Sequence, residues 1–327
     1  MKKMYLAAGV ASVFFVLGGV AVAALPKVNS VFTEFASNIG RPGQPEVTIP
    51  AFGMAQQQKA QFFSAGQMAP LIVDLHQWSE DESGYAGNDE PLDKLVLARG
   101  WNFIRPALAG PNRTPSACCS TAVIDGIRAA IKYATENGKV DVSRIYVVGV
   151  SGGGYTALCA AASGKINARG FYAWASITDL NTWYEAHSRD HYGADVLQCT
   201  GSKGALNTAE ANRRSPYFMP LSTAPVHIYA GVHDGFTGSV LPSHSIKMFN
   251  RYAQQYAPNE SISPDAELRM LEGRRGPDAD EGKTIGGRLI HAERQAGPAS
   301  VVIFEGGHEM LARPMVEQIA KDAKSPR

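Results

Sequence analysis

The sequence of 327 residues has almost no excess of charge of either sign, with 31 lysines and arginines against 30 aspartates and glutamates. A chain that binds nucleic acid needs a surplus of basic residues to neutralise phosphates, and a net charge of +1 provides none. The same balance gives no electrostatic reason to expect an acidic partner surface. The composition therefore predicts no nucleic-acid partner.

Cysteine is scarce, and its four copies are Cys118, Cys119, Cys159 and Cys199. No pair has the C-x-x-C spacing, which argues against a zinc site built from cysteine. Neighbouring cysteines rarely bond each other, and Cys159 falls inside a predicted helix, where we expect a small buried apolar residue. We therefore expect a disulfide between Cys199 and either Cys118 or Cys119.

Metal-binding histidine patterns are also lacking. His187 and His191 lie four residues apart and would share one face of a helix. However, no glutamate follows the first histidine, and the sequence offers no third ligand. We predict no metal site here and a solvated or cap-packing role for both side chains.

Long hydrophobic runs are absent except at the N-terminus. Two lysines precede an apolar run over residues 4–20, and the small residues AVAA follow at 21–24. This pattern predicts a signal peptide over residues 1–24, cleaved after Ala23 or Ala24. An uncleaved anchor is the alternative, because the run is nearly long enough to span a bilayer. We expect an exported protein, periplasmic or secreted, with no stable membrane association after cleavage.

The rest of the chain alternates between strand and helix patterns. Residues 25–50 read as an N-terminal lead-in and residues 51–327 as one domain. Apolar, strand-like runs occupy residues 70–76, 101–105, 144–150, 171–175, 226–230 and 300–304. The alternation predicts an α/β fold with a mostly parallel sheet, covered by helices on both faces. Two interruptions stand out, a polar and aromatic one at about 179–222 and a charged, glycine-rich surface insertion at about 267–297.

The sharpest motif is GVSGG at residues 149–153, a G-x-S-x-G match. It lies between the strand pattern at 144–150 and a helix-forming run at 155–162, which is the context a nucleophile elbow needs. Ser151 is the predicted nucleophile. The backbone N–H of Gly152, at a helix N-terminus, is a predicted oxyanion donor. The alternative is a glycine-rich turn without chemistry.

The loops after the last two strand patterns contain the partners that a serine nucleophile requires. An imidazole must take the hydroxyl proton, and a carboxylate must orient that imidazole. Asp234 is the predicted acid and His308 the predicted base, because each follows a strand and the chain order is Ser, Asp, His. Glu305 and Glu309 are alternative acids, although each lies too close in sequence to approach the His308 ring easily.

These stretches resemble the α/β-hydrolase superfamily, and within it the prolyl-oligopeptidase-like branch of serine hydrolases and esterases. The matching stretches are residues 71–79, 101–112, 141–155, 230–245 and 305–309. The resemblance implies an α/β-hydrolase fold with Ser151 as nucleophile, Asp234 as acid and His308 as base. It also implies that no metal or organic cofactor takes part.

By analogy with the superfamily, the second oxyanion donor is a backbone N–H of the loop after the first parallel strand, either Gln77 or Trp78. The interruption at 179–222 follows the sixth strand in the superfamily's numbering, a common position for a lid. Trp78, Trp183 and Tyr184 are candidates to stack on a sugar ring or to hold an acyl group. The alternative is that they pack the lid onto the body of the domain.

The sequence also departs from the family. Residues 76–78 read HQW, where many lipases and esterases have His-Gly-Gly. Prolyl oligopeptidases carry a β-propeller before the hydrolase domain, and too few residues precede the first strand here to build one. This favours an exported serine esterase that acts on acyl or acetyl groups of carbohydrates or other small esters. The alternatives are a prolyl-oligopeptidase-like serine peptidase without the propeller, and a non-catalytic binding protein on a hydrolase scaffold.

Overall fold

A computed structural model describes residues 45–51, 56–84, 86–273 and 275–324. The predicted signal peptide and most of the predicted lead-in lie outside these residues. The strands are β1 Glu46–Ile49, β2 Gln58–Phe63, β3 Ala69–Leu75, β4 Asn102–Pro106, β5 Val140–Val150, β6 Gly170–Trp174, β7 Val226–Gly231, β8 Thr284–Ile285, β9 Arg288–Ala296 and β10 Ala299–Phe304. The α-helices are α1 Leu92–Ala98, α2 Thr121–Asn137, α3 Gly152–Ser163, α4 Leu180–His187, α5 His191–Cys199, α6 Thr208–Arg213, α7 Ser243–Tyr256, α8 Pro264–Gly273 and α9 Ala312–Asp322.

The strands form one sheet in the order β1-β2-β4-β3-β5-β6-β7-β10-β9-β8. The six central strands, from β4 to β10 in this order, pair in parallel. The strands at both edges pair antiparallel. The predicted mostly parallel sheet is confirmed. Its carboxyl edge is where ligands bind in sheets of this kind.

Alternation along the strands divides the core in two. On β3, Leu71 and Val73 face one hydrophobic cluster, whereas Ile72 faces the other. Apolar residues of α2, α3 and α7 cover the first face, and those of α1 and α9 cover the second. The predicted helices on both faces are therefore confirmed.

Four strands were not expected from the sequence, namely β1 and β2 at one edge of the sheet and β9 and β8 at the other. β1 falls within the predicted lead-in at 25–50 and pairs with β2, so the sheet begins before residue 51. β9 falls within the predicted surface insertion at 267–297 and pairs with the whole of β10. Its apolar positions Ile290, Ala292 and Ala296 are buried, whereas the charged side chains of Arg288 and Glu293 are exposed. Those charges and the flanking glycines hid its period-2 pattern.

The cysteines form two disulfides rather than one. Cys118 bonds Cys199, as expected, with 6.1 Å between their Cα atoms. Cys119 bonds Cys159, with 5.8 Å between theirs, so the expectation of an unpaired Cys159 is wrong. Cys118 and Cys119 both adopt left-handed backbone, with φ of 48° and 58°. The resulting sharp turn lets neighbouring thiols reach α5 and α3 separately.

The segment at 179–222 folds as α4, α5, α6 and a short 3-10 helix between β6 and β7. The Cys118–Cys199 disulfide therefore attaches the loop before α2 to this helical segment. The Cys119–Cys159 disulfide attaches the same loop to α3. Among the described residues, no helix combines the length and the apolar character needed to cross a bilayer.

Candidate active site

Ser151 lies at the turn between β5 and α3, with φ of 57° and ψ of −121°. A side chain in this region of backbone space is strained, as expected for a nucleophile elbow. The turn is tight because its glycines approach other backbone groups closely. A Cβ at Gly149 would collide with the backbone of Gly153, and one at Gly153 would collide with the carbonyl of Leu75. The predicted elbow is therefore present in the structure.

Two backbone hydrogen bonds hold the elbow in place. Ser151 N–H donates to the carbonyl of Trp174 at 2.8 Å, and Tyr155 N–H donates to the carbonyl of Ser151 at 2.9 Å. The first bond ties the turn to the end of β6, and the second opens the first turn of α3. The strain at Ser151 is thus sustained by its neighbours.

Asp234 and His308 come together at the same edge of the sheet, beyond β7 and β10. His308 Nδ1 lies 2.8 Å from Asp234 Oδ2, and the Asp234 side chain is fully buried. The other carboxylate oxygen accepts the N–H groups of Gly235 at 2.7 Å and Val240 at 3.1 Å. Because an ionised carboxylate only accepts, His308 Nδ1 is the donor and Nε2 remains free to act as a base.

The two alternative acids are engaged elsewhere. Glu305 contacts His233 and His291, and Glu309 pairs with Arg288 at 3.2 Å. The structure thus favours Asp234, the predicted acid, over both glutamates.

The first turn of α3 packs against the loop after β3, where the second oxyanion donor was predicted. A Cβ at Gly152 would collide with the backbone nitrogen of Trp78. Gln77 N–H instead lies 3.4 Å from Glu80 Oε2. Of the two predicted donors, the geometry therefore favours Trp78, whose backbone nitrogen packs against the Cα of Gly152.

The predicted aromatic substrate contacts are largely internal. Trp78 and Trp183 are 2% and 1% exposed, and their ring centroids are 4.6 Å apart. Trp183 Nε1 donates to the carbonyl of Ser239, in the loop that carries Asp234, at 2.9 Å. Tyr184 is half-buried against the core. The two indoles pack the helical segment onto the body, as the alternative interpretation predicts, and offer no ring face to a sugar.

Both ring nitrogens of His187 have partners within the protein. His187 Nδ1 lies 2.6 Å from Asp190 Oδ2, and its Nε2 lies 2.8 Å from the carbonyl of Ser239. Within the part of the chain that the structure describes, no group of three or more histidine, cysteine, aspartate or glutamate side chains could hold a metal ion.

Three acidic residues around the site, Glu80, Asp195 and Glu305, make hydrogen bonds that the sequence did not predict. Glu80 also accepts the side-chain amide of Gln77, at 3.1 Å. Asp195 on α5 accepts the indole N–H of Trp78 at 3.2 Å. Glu305 joins two histidines. Each contact except the one between Glu80 and Gln77 joins residues far apart in the chain, so no local pattern could have revealed them.

Glu80 is expected to make the stability of the protein fall as the pH rises. Burial raises the pKa of this carboxyl group from 4.5 to about 7, although the charge of Arg105 acts against the shift. Between these values the folded protein keeps a proton that the unfolded chain releases, so raising the pH favours unfolding. The neutral variant Glu80→Gln should therefore gain more in Tm over the wild type at about pH 8 than at about pH 5. An equal Tm difference at both pH values would contradict this assignment.

Asp195→Ala is expected to lower the free energy of unfolding by about 1–3 kcal/mol, because it leaves the buried indole N–H of Trp78 without an acceptor. Urea unfolding of the purified variant measures this loss. Asp195→Asn is the matched control, since its amide oxygen can still accept that bond. Equal stability of the alanine and asparagine variants would show that the bond contributes nothing.

The sheet order and the strained turn at Ser151 are those of an α/β-hydrolase fold. Residues 120–263 match the model of the prolyl oligopeptidase family, a family of serine hydrolases. The resemblance to this family seen in the sequence is thus confirmed over the matched residues. The matched region includes Ser151 and Asp234 and ends before His308. A sequence comparison with curated proteins finds no match.

Solved structures with a similar fold include two peptidases and a puromycin hydrolase. The acylaminoacyl peptidase of Pyrococcus horikoshii superposes with a TM-score of 0.57 at 14% identity, over 92% of this chain and 45% of its own. A puromycin-hydrolysing peptidase of Mycobacterium tuberculosis superposes with a TM-score of 0.54 at 17% identity, over 92% and 40%. A puromycin hydrolase gives a TM-score of 0.57 at 14% identity, over 86% and 39%. The chain thus spans less than half the length of these proteins, and the likeness concerns the fold.

Proposed function

We propose that the protein is an exported serine hydrolase that cleaves peptide or related amide bonds through an acyl-enzyme on Ser151. The observation that carries the proposal is the 2.8 Å hydrogen bond between His308 Nδ1 and Asp234 Oδ2, at the sheet edge where the Ser151 elbow also lies. A serine, an imidazole and a carboxylate in these positions are the groups that acyl transfer requires.

Each step of the reaction uses one of these groups. His308 Nε2 takes the proton of the Ser151 hydroxyl while Oγ attacks the substrate carbonyl carbon. The backbone N–H groups of Gly152 and Trp78 hold the oxyanion that forms. The bond to the leaving amine then breaks, and the amine receives the proton from His308. Water attacks the acyl-enzyme, gives a proton to His308, and the acid departs as Ser151 regains its hydrogen.

The family match supports peptide bonds over the carboxylic esters that the sequence favoured. The solved structures with a similar fold are named as acylaminoacyl and puromycin-hydrolysing peptidases. Trp78 and Trp183, two of the candidate rings for stacking on a sugar, are buried, so the structure gives no support for a carbohydrate ester from these two rings. A peptidase therefore fits better, with a small molecule or peptide as substrate.

A substrate panel tests this proposal. It comprises aminoacyl 4-nitroanilides with free and with acetylated amino groups, puromycin, and 4-nitrophenyl butyrate. We expect wild type to cleave the amides, Ser151→Ala to lose this activity, and Ser163→Ala, a serine on the same helix, to keep it. Cleavage of the ester alone would indicate an esterase. Amide cleavage that persists in Ser151→Ala would contradict the mechanism.

Export is supported by the signal-like pattern at residues 1–24 and by the two disulfides, which persist in oxidising compartments. Mass spectrometry of the protein produced from its full reading frame tests this. We expect a mature N-terminus at Ala24 or Leu25 and recovery outside the cytoplasm. A chain that retains residues 1–24 in the membrane fraction would show an anchor instead.

A further inference from the structure

The loop that carries His308 has little stiffness of its own. Residues 305–309 read EGGHE, so two glycines separate the end of β10 from the imidazole. Glycine restricts the backbone least of all residues, so the position of this ring depends on what holds the ends of the loop. At one end, Glu309 Oε1 accepts Gly307 N–H at 3.0 Å, and Glu309 also pairs with Arg288. Glu305 holds the other end.

One oxygen of Glu305 is bound from β9. His291 is buried, at 1% exposure, and its Nε2 lies 2.8 Å from Glu305 Oε2. His291 Nδ1 faces the backbone N–H of Gly276 at 3.1 Å and must accept from it. The ring therefore carries its proton on Nε2 and donates that proton to Glu305.

The other oxygen of Glu305 is bound from the loop that carries the acid. His233 Nε2 hydrogen-bonds Glu305 Oε1, and His233 directly precedes Asp234 in the chain. The backbone of the two loops is joined at the same place, since His233 N–H donates to the carbonyl of Gly306 at 2.9 Å. A single carboxylate thus connects β9, the acid loop and the base loop.

We propose that Glu305 is a positioning residue for the active site, which holds the ring of His308 against Asp234 so that the ring can serve as the base for Ser151. The proposal rests on the proposed serine hydrolase function. Glu305 is suited to this role because it occupies the joint between the two loops and its two oxygens have different partners. The clamp is defined as Glu305, His233 and His291.

The charge state of Glu305 is consistent with this role. Burial raises the pKa of its carboxyl group, but the hydrogen bonds of His233 and His291 outweigh burial and leave the pKa below its ordinary value. The guanidinium of Arg288, which pairs with Glu309, also donates to the backbone carbonyl of Glu305 at 3.3 Å. The carboxylate is therefore ionised and able to accept both histidine protons near neutral pH.

Steady-state kinetics of Glu305→Ala, measured well below its Tm, provides the first test. We expect kcat to fall by about 10- to 100-fold with little change in KM, because the base is displaced while substrate binding is kept. Glu305→Gln keeps the size and one good acceptor oxygen, so it should recover most of the lost kcat. Should the alanine variant fail to fold, His233→Ala, which removes one partner of the same carboxylate, is the test variant and should also lower kcat.

The matched control is Glu293→Ala on β9. Glu293 has nearly the same side-chain exposure as Glu305, 47% against 44%, and its carboxylate is 3.6 Å from Lys283. Its loss should leave kcat unchanged. A kcat for Glu305→Ala within about twofold of wild type, or an equal loss in Glu293→Ala, would overturn the proposal.

A second readout does not depend on activity. The Nδ1 proton of His308, bonded to Asp234, should give a downfield proton resonance that is absent in His308→Gln. In Glu305→Ala this resonance should shift and exchange faster with water, whereas an unchanged resonance would overturn the clamp. If the wild type cleaves no substrate and its Ser151 does not react with a fluorophosphonate, the proposed function is refuted instead. The resonance of His308 would still test the clamp in that case.

Discussion

Asp234→Asn is expected to lower kcat about 10⁴-fold while the protein stays folded. In the wild type, the N–H groups of Gly235 and Val240 point at Asp234 Oδ1. The side-chain oxygen of the asparagine will continue to accept these two N–H groups, so the NH₂ group of the asparagine will face His308. That group can only donate, so His308 Nδ1 becomes the acceptor and the proton moves to Nε2. The imidazole then cannot take the proton of Ser151.

Initial rates with the best substrate of the panel measure this effect, with circular dichroism to confirm folding. Asp280→Asn, the same substitution at an exposed ion pair with Arg275, is the matched control and should be neutral. Glu309→Gln tests a rival acid and should lose far less activity than Asp234→Asn. A larger loss of activity in Glu309→Gln than in Asp234→Asn would show that Asp234 is not the acid.

Removal of the Cys118–Cys199 disulfide is expected to lower stability by about 4 kcal/mol, from the chain entropy regained when a loop of this length opens. The two cysteines are 81 residues apart in sequence. The bridge joins the loop before α2 to α5, and both ends are buried. For a domain of this size such a loss corresponds to a fall in Tm of roughly 10 °C.

Calorimetry of the double variant Cys118→Ser, Cys199→Ser measures this effect. The pair Cys119→Ser, Cys159→Ser is the matched comparison and closes a shorter span of 40 residues. Loop-closure entropy grows slowly with length, so its loss should be smaller by only about 0.6 kcal/mol. An unchanged Tm in both double variants would show that the bridges do not stabilise the domain.

The elements that the sequence predicted best have strong local signals. α2 occupies residues 121–137, between the capping Ser120 and Gly138, and both of these end signals can be read directly in the sequence. The elbow was predictable because a strand, a glycine-rich turn and a helix follow each other directly. The partners Asp234 and His308 followed from their place after strands, since parallel strands bring their carboxyl ends to one edge.

The elements that the sequence missed depend on contacts between distant residues. β9 is stable as a strand because β10 lies beside it, and its charged positions find partners such as the ion pair of Arg294 with Asp278. The pairing of Cys119 with Cys159 follows from the backbone turn at 118–119, which the amino-acid types do not announce. The burial of Trp78 and Trp183 likewise requires the helical segment to be folded onto the body.

The most direct test of the account is to label the protein with a fluorophosphonate and to map the adduct by peptide mass spectrometry. The reagent reacts with a serine only where an imidazole removes its proton, so it reports on Ser151 and His308 together. The account predicts one adduct, on Ser151, lost in Ser151→Ala and formed far more slowly in His308→Gln. An adduct on another serine, or labelling of Ser151 at an undiminished rate without His308, would contradict it.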